Sequence, residues 1–242
     1  GLDAGLHAPI QALSTAAQQG LGAALTGITV VGSCLTDDFR PGQSDINTVL
    51  LLNQLSPAVL DQVTQAVRPQ ARKHRLAVPL LMTVDYIERS RDVFGIELLD
   101  FQLTHQTVLG DDPFRDLSFN KADVRLQCER ELKADLIRLR QGYITAAGKD
   151  ALIRDVLIAG VKSLAPLLRA MLWLKDKPRE TRLAPTWQSA SENFGIHAGP
   201  LQRIAAWRHE KTTTNGLTLR EAFEQVYKVI DQLATIVDEF EE

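Results

Sequence analysis

Hydrophobic and polar residues follow different patterns in the two halves of this chain. The first half contains short apolar runs rich in β-branched residues, which are typical of buried strands, separated by turn residues and helical segments. We predict strands over residues 28–31, 46–52, 78–82 and 94–103, and helices over residues 10–25, 56–73 and 83–91. Glu97 and Asp100 lie in the last of these strands, and their odd spacing would place them on opposite faces of it.

From about residue 120 onwards, apolar residues recur every three or four positions, as in amphipathic helices. Here we predict helices over residues 121–143, 151–174, 199–210 and 219–239. Strands followed by helices are typical of the α+β class. We therefore predict a small mixed β-sheet domain over residues 1–115, followed by an α-helical bundle domain over residues 116–242.

Composition and charge narrow the range of partners. Hydrophobic residues make up 45% of the 242 residues, and the net charge is −3. No overall positive field attracts nucleic acid or an anionic membrane, so neither is an expected partner. Cys34 and Cys128 form no pair with metal-ligand spacing, and residues 1–9 do not resemble a secretory signal. We therefore expect a cytoplasmic protein with reduced thiols.

A Gly-Ser turn marks the first candidate site. Gly32 and Ser33 follow the strand predicted over residues 28–31 and lead towards a short helix. Such a turn presents backbone N–H groups and the positive end of a helix dipole, both of which suit phosphate. Glycine allows close backbone approach, and the serine hydroxyl can donate to a phosphate oxygen.

Two polar residues at the start of the next strand indicate a metal site. Asp45 and Asn47 are two positions apart, so on a strand their side chains point the same way. Two carboxylates at that spacing would hold a divalent cation against a triphosphate. Either Glu97 or Asp100 could add a third carboxylate. Two alternatives remain. Asp45 could only make hydrogen bonds within its own loop, and Glu97 could be an ordinary half-exposed strand residue.

The segment from Gly32-Ser33 to Ser44-Asp45-Ile46-Asn47 resembles the signature of the DNA polymerase β-like nucleotidyltransferase superfamily. It is most similar to the branch that holds aminoglycoside nucleotidyltransferases and uncharacterised bacterial relatives with a C-terminal helical domain. The resemblance covers roughly residues 28–113, and residues 96–100 and 109–113 share in it.

This resemblance implies a role for each matching residue. Gly32 and Ser33 would bind the nucleotide phosphates, and Asp45 would be a catalytic residue and the first metal ligand. Asn47 stands where the family has a second acidic ligand, and Glu97 would supply the third, catalytic carboxylate. The metal would be Mg²⁺ or Mn²⁺, the substrate a nucleoside triphosphate, and the acceptor an unidentified hydroxyl.

Three functions follow as hypotheses. The first is an enzyme that transfers a nucleotidyl group from a nucleoside triphosphate to a hydroxyl of a small molecule or protein. The second, favoured by the uncharged Asn47, is a catalytically impaired binding or regulatory module. The third rests on Arg203 and His209, whose spacing loosely resembles a ribonuclease motif of helical domains, although surface positions on an amphipathic helix are the favoured explanation.

Overall fold

The computed structural model describes residues 2–41, 44–74, 76–209 and 218–240. The chain divides into two compact units, Gly1–Ser118 and Phe119–Glu242. Among the described residues, the first unit contains a four-stranded mixed sheet with helices, and the regular elements of the second unit are all helical. The predicted α+β class is confirmed.

The elements of the first unit arise from local signals of capping and burial. Ser56 accepts a hydrogen bond from the Val59 N–H at 3.3 Å and so caps the helix that begins at Pro57. In that helix Val59, Val63 and Val67 recur every four residues and are buried. The elements are α1 (Ala4–Leu21), β1 (Leu25–Val31), β2 (Asn47–Leu52), α2 (Pro57–His74), β3 (Leu80–Met82), α3 (Val84–Arg89), α4 (Gly95–Leu103) and β4 (His105–Leu109).

The sheet has the strand order β3-β2-β1-β4. Strand β1 is antiparallel to both β2 and β4, whereas β2 and β3 are parallel. One face of the sheet shares a hydrophobic core with α1 and α2, and its contributions include Ile28, Val30 and Leu50. At the end of β1, Val31 lies directly opposite Asn47 on one side and His105 on the other.

The strand predicted over residues 94–103 is wrong, because this segment is helix α4. The buried residues Ile96, Leu98 and Leu99 could belong to a buried strand or to a buried helix. The leucine, glutamate and glutamine residues of this segment favour the helix. The predicted relation between the two carboxylates is therefore reversed. Residues three apart share one side of a helix, so Glu97 and Asp100 lie on the same side of α4.

Strand β4 was not predicted, because the supposed strand was predicted to end at residue 103, before β4 begins. Its five residues are all half-buried, and it pairs with β1 through Ile28–Val31. A short strand in this position depends on β1 for its hydrogen bonds, so local sequence patterns do not identify it.

The second unit contains α5 (Lys121–Ala146), α6 (Asp150–Leu174), α7 (Leu183–Phe194), α8 (Gly199–Ala206) and α9 (Leu219–Asp238). The predictions of α5, α6 and α9 are confirmed. The helix predicted over residues 199–210 ends at Ala206 and is followed by a 3₁₀ turn, Trp207–His209, while Glu210 lies outside the described residues. Helix α7 was not predicted. Its Pro185 lies in the first turn, where the missing N–H is tolerated.

Buried aromatic residues form part of the interior of the second unit. Trp187 is 1% exposed, and Trp207 is 0% exposed. Trp187 lies on α7 and Trp207 follows α8, so each of these short segments brings a large apolar side chain into the interior. None of the described helices combines the length and the hydropathy that crossing a bilayer requires.

Candidate functional site

The turn after β1 needs a glycine. Gly32 has φ of +82°, a left-handed conformation that favours glycine, and its N–H donates to the Thr104 carbonyl at 2.9 Å. An added Cβ on Gly32 would lie 4.0 Å from the Asn47 amide nitrogen. The backbone of Gly32 therefore lies beside the Asn47 side chain, and a 3₁₀ turn over Ser33–Leu35 follows it.

Cys34 fixes this turn against β2. Its side chain is 1% exposed, its Sγ lies 3.5 Å from the Val31 carbonyl, and it accepts a hydrogen bond from the Asn47 backbone N–H. Burial raises the pKa of the Cys34 thiol, and the backbone hydrogen bonds oppose this only in part. Cys34 therefore acts as a packed, neutral anchor that ties the Gly-Ser turn to the start of β2. The sequence analysis found no role for it.

Hydrogen bonds within the following loop shape the approach to Asp45. The Thr36 hydroxyl donates to the Ser33 carbonyl at 2.9 Å. Ser44 accepts from the Arg40 N–H at 3.0 Å through its hydroxyl, and its own N–H donates to the Arg40 carbonyl at 2.9 Å. These hydrogen bonds constrain both ends of the loop, and with them the backbone that leads into Asp45.

Asp45 and Asn47 flank a buried residue. Ile46 is 5% exposed and forms a parallel bridge with Leu76. Side chains alternate along a strand, so Asn47, the first residue of β2, lies on the side opposite Ile46. That Asp45 points the same way as Asn47 stays a prediction. Both residues are exposed.

Three polar groups at this end of the sheet have no partners within the described part of the chain. The Ser33 hydroxyl, the Asp45 carboxylate and the Asn47 amide make no hydrogen bond or ion pair there. Residues whose polar atoms bond to one another are committed to the fold, whereas these three groups are available to a ligand. Convergence of all three side chains on one cleft stays a prediction.

The predicted third carboxylate has a different structural context from the one expected. Glu97 is exposed in the first turn of α4, and Asp100 is half-buried on the same helix. The four strands, β1 to β4, contain no aspartate or glutamate. Among the described residues, no group of three or more His, Cys, Asp or Glu side chains forms a metal site. A role for Glu97 therefore stays a prediction.

A histidine-carboxylate pair lies near this end of the sheet and was missed by the sequence analysis. His105 opens β4 opposite Val31, and its Nε2 lies 2.9 Å from the carboxylate of Asp112. Its Nδ1 lies 2.9 Å from the Phe101 carbonyl, and its ring packs edge-on against Phe114. The turn after β4 is thereby attached to the end of α4. The sequence analysis assigned Asp112 no partner, because His105 lies on a strand that was not predicted.

Hydrogen bonds lower the pKa of Asp112. Burial of Asp112 opposes its ionisation. The hydrogen bonds from His105 and from the Phe114 N–H outweigh this effect, and the pKa of Asp112 is lowered. The contact between Asp112 and His105 holds the segment after β4 against that strand.

The third hypothesis receives no geometric support from α8. Arg203 is an exposed residue in the last turn of that helix. The side chain of His209 lies outside the described residues, so the relation of the two side chains stays a prediction.

Comparisons with known proteins identify the fold. No family model and no curated protein matches the sequence. Among solved structures, the chain is similar to the spectinomycin adenyltransferase AAD(9) from Enterococcus faecialis, determined with ATP and spectinomycin. The TM-score is 0.58 with 10% identity, and the match covers 96% of this chain and 99% of the other. The chain therefore has a nucleotidyltransferase-like fold.

Proposed function

We propose that this chain binds a nucleoside triphosphate at one end of the sheet, where Gly32, Ser33, Asp45 and Asn47 lie. It would then transfer the nucleotidyl group to a hydroxyl. The observation that carries the proposal is the set of exposed polar groups beside a positive-φ glycine, which have no partner among the described residues. The fold supports it, since a structural neighbour was determined with ATP.

The Gly-Ser turn would bind the phosphates. Gly32 has no side chain to keep a phosphate away from the backbone, and the exposed Ser33 hydroxyl can donate to a phosphate oxygen. Anchoring by Cys34 keeps this turn rigid. A rigid donor contributes more than a mobile one because it needs no reorganisation when the ligand binds.

Asp45 and Asn47 would hold a divalent cation. Together they offer one carboxylate and one amide oxygen, which fits Mg²⁺ bound mainly through substrate phosphates and water. Such a cation would neutralise phosphate charge during transfer. Asp45 would supply the only full negative charge of this pair, and Asn47 would orient a ligand through the dipole of its amide.

For the acceptor we propose a chemical class and a residue that could activate it. A hydroxyl nucleophile needs a base or a positioning group within hydrogen-bonding reach. Glu97 is the candidate from the family resemblance, and it is exposed on α4. By analogy with the branch of aminoglycoside nucleotidyltransferases, the acceptor would be a hydroxyl-bearing small molecule, or a protein side chain.

A second function is favoured by the donor set itself. Where the resembled family has a second acidic ligand, this chain has Asn47, and no strand supplies a further carboxylate. A protein that keeps the phosphate site but lacks the charge for transfer would serve as a nucleotide-binding regulatory module.

Incubation with α-labelled nucleoside triphosphates distinguishes these two functions. Transfer releases pyrophosphate and leaves the label on an acceptor, so we expect pyrophosphate release that depends on Mg²⁺ or Mn²⁺ and on an added hydroxyl compound. The panel should contain aminoglycosides, other polyols and a serine- and tyrosine-rich protein substrate. Saturable nucleotide binding with no pyrophosphate release across the panel would contradict the transferase and support the binding module.

A further inference from the structure

A groove in the first unit is lined by residues other than Gly32, Ser33, Asp45 and Asn47. It lies between α2 and the chain segment that leads into β3, and its volume is about 520 Å³. Small-molecule pockets have volumes of roughly 300–1,000 Å³, so the groove is large enough for a ligand. Its apolar lining comes from Val63, Val67, Ala71, Leu76, Val78 and Pro79.

Two arginines give the groove a charged edge. Arg68 and Arg72 are one turn apart on α2, and both line the groove and are exposed. Neither makes a hydrogen bond or an ion pair within the described part of the chain. The remaining polar lining residue, Thr64, uses its hydroxyl to donate to the Leu60 carbonyl at 2.8 Å. Positive charge thus stands uncompensated along one side of an apolar trough.

We propose that this groove binds a single-chain aliphatic carboxylate, with the chain along the valines and the head group at Arg68 and Arg72. A guanidinium offers paired N–H donors that match the two oxygens of a carboxylate. The aliphatic chain would cover apolar surface that is now in contact with water, notably Val78, which is 87% exposed.

The backbone beside the groove disfavours an extended peptide as the occupant. A peptide that adds to a strand edge needs free main-chain donors and acceptors there. The Leu76 N–H already donates to the Ala71 carbonyl, and the Ala77 N–H donates to the Ile46 carbonyl. Pro79 has no N–H. A ligand that needs apolar contact and an anion site, without a hydrogen-bonded ladder, fits this surface better.

The groove is independent of the proposed nucleotide site. Helix α2 packs on the sheet face that contains Ile28, Val30 and Leu50. Asn47 pairs with Val31 and belongs to the alternate set of side chains, which face the other way. Failure of one proposal therefore leaves the other untouched.

Calorimetric titration of the full chain with decanoate, below the concentration at which it forms micelles, tests the proposal. Decyltrimethylammonium has the same chain with the opposite charge and is the ligand control. We expect saturable binding of decanoate and at least about tenfold weaker binding of the cation, because the cation cannot accept hydrogen bonds from the two arginines and is repelled by their charge.

Variants on α2 assign the head-group site. Arg68→Gln with Arg72→Gln should weaken decanoate binding at least about tenfold, and Val78→Asp should weaken it by repelling the carboxylate. Lys73→Gln removes one positive charge from the same helix outside the groove and should change binding less than about twofold. Equal binding of both amphiphiles, an effect of Lys73→Gln as large as that of the double arginine variant, or no saturable binding would overturn the proposal. Since the substituted side chains are exposed, circular dichroism should be unchanged.

Discussion

Replacing Gly110 with alanine is expected to remove a large part of the folding stability of the first unit. Gly110 follows β4 with φ of +76°, and an added Cβ would lie 2.1 Å from the carbonyl oxygen of Thr26 and 3.0 Å from the Cα of Gly27. Both contacts are with backbone, which cannot move aside as a side chain can. The variant must shift β4 relative to β1, and we expect a loss of more than about 3 kcal/mol in unfolding free energy.

Gly195→Ala provides the matched control. Gly195 has φ of +64°, but an added Cβ there would meet no atom within 4 Å. Alanine at this position carries the conformational cost without the collision, or about 1 kcal/mol. Urea unfolding followed by circular dichroism measures both variants, and hydrogen exchange of the β1 and β4 amides localises the effect. Equal destabilisation by the two substitutions would contradict the close approach of the strands.

Replacing Asp45 with asparagine is expected to weaken metal-dependent nucleotide binding at least about tenfold. The substitution keeps the shape of the side chain and removes the only full negative charge that Asp45 and Asn47 together offer to a cation. The attraction between unit charges about 4 Å apart is about 4 kcal/mol at an effective dielectric constant of about 20, so a large part of the metal affinity depends on this charge. Calorimetry with ATP and Mg²⁺ measures the change.

The control for this substitution is Asp37→Asn in the same loop. Asp37 is also exposed, and its replacement changes the net charge of the protein equally. If general electrostatics controlled nucleotide affinity, both variants would weaken it alike, whereas the proposed site predicts an effect for Asp45 alone. Asp45→Asn should not shift the melting temperature greatly, because substitutions at exposed positions usually change stability by less than about 0.5 kcal/mol.

The parts of the fold that sequence analysis predicted well have strong and unambiguous periodicity. In α5 the apolar residues Val124, Cys128, Leu132 and Leu136 recur every four positions and are all buried, so both the type and the place of the helix follow from local pattern. The candidate phosphate-binding turn was also predicted from a local pattern, because Gly32 ends a run of β-branched residues.

The failures have a common physical cause, which is dependence on distant partners. The run that contains Ile96, Leu98 and Leu99 fits a buried strand or a buried helix equally well, and tertiary packing decides between them. Strand β4 exists through its pairing with β1, and the pair of His105 with Asp112 exists through β4. Assigning Glu97 to a strand beside Asp45 failed for the same reason.

The central claim is that Asp45 and Asn47 form a cation and nucleotide site whose charge is reduced by the amide. Titration of Mg²⁺ at fixed ATP, for the native protein and Asn47→Asp, tests it most directly. Restoring a carboxylate should tighten ATP binding in the presence of Mg²⁺ and leave binding without metal unchanged or weaker, because a second negative charge attracts the cation and repels bare triphosphate. Absence of metal-dependent ATP binding in both proteins, or an equal change with and without Mg²⁺, would contradict the claim.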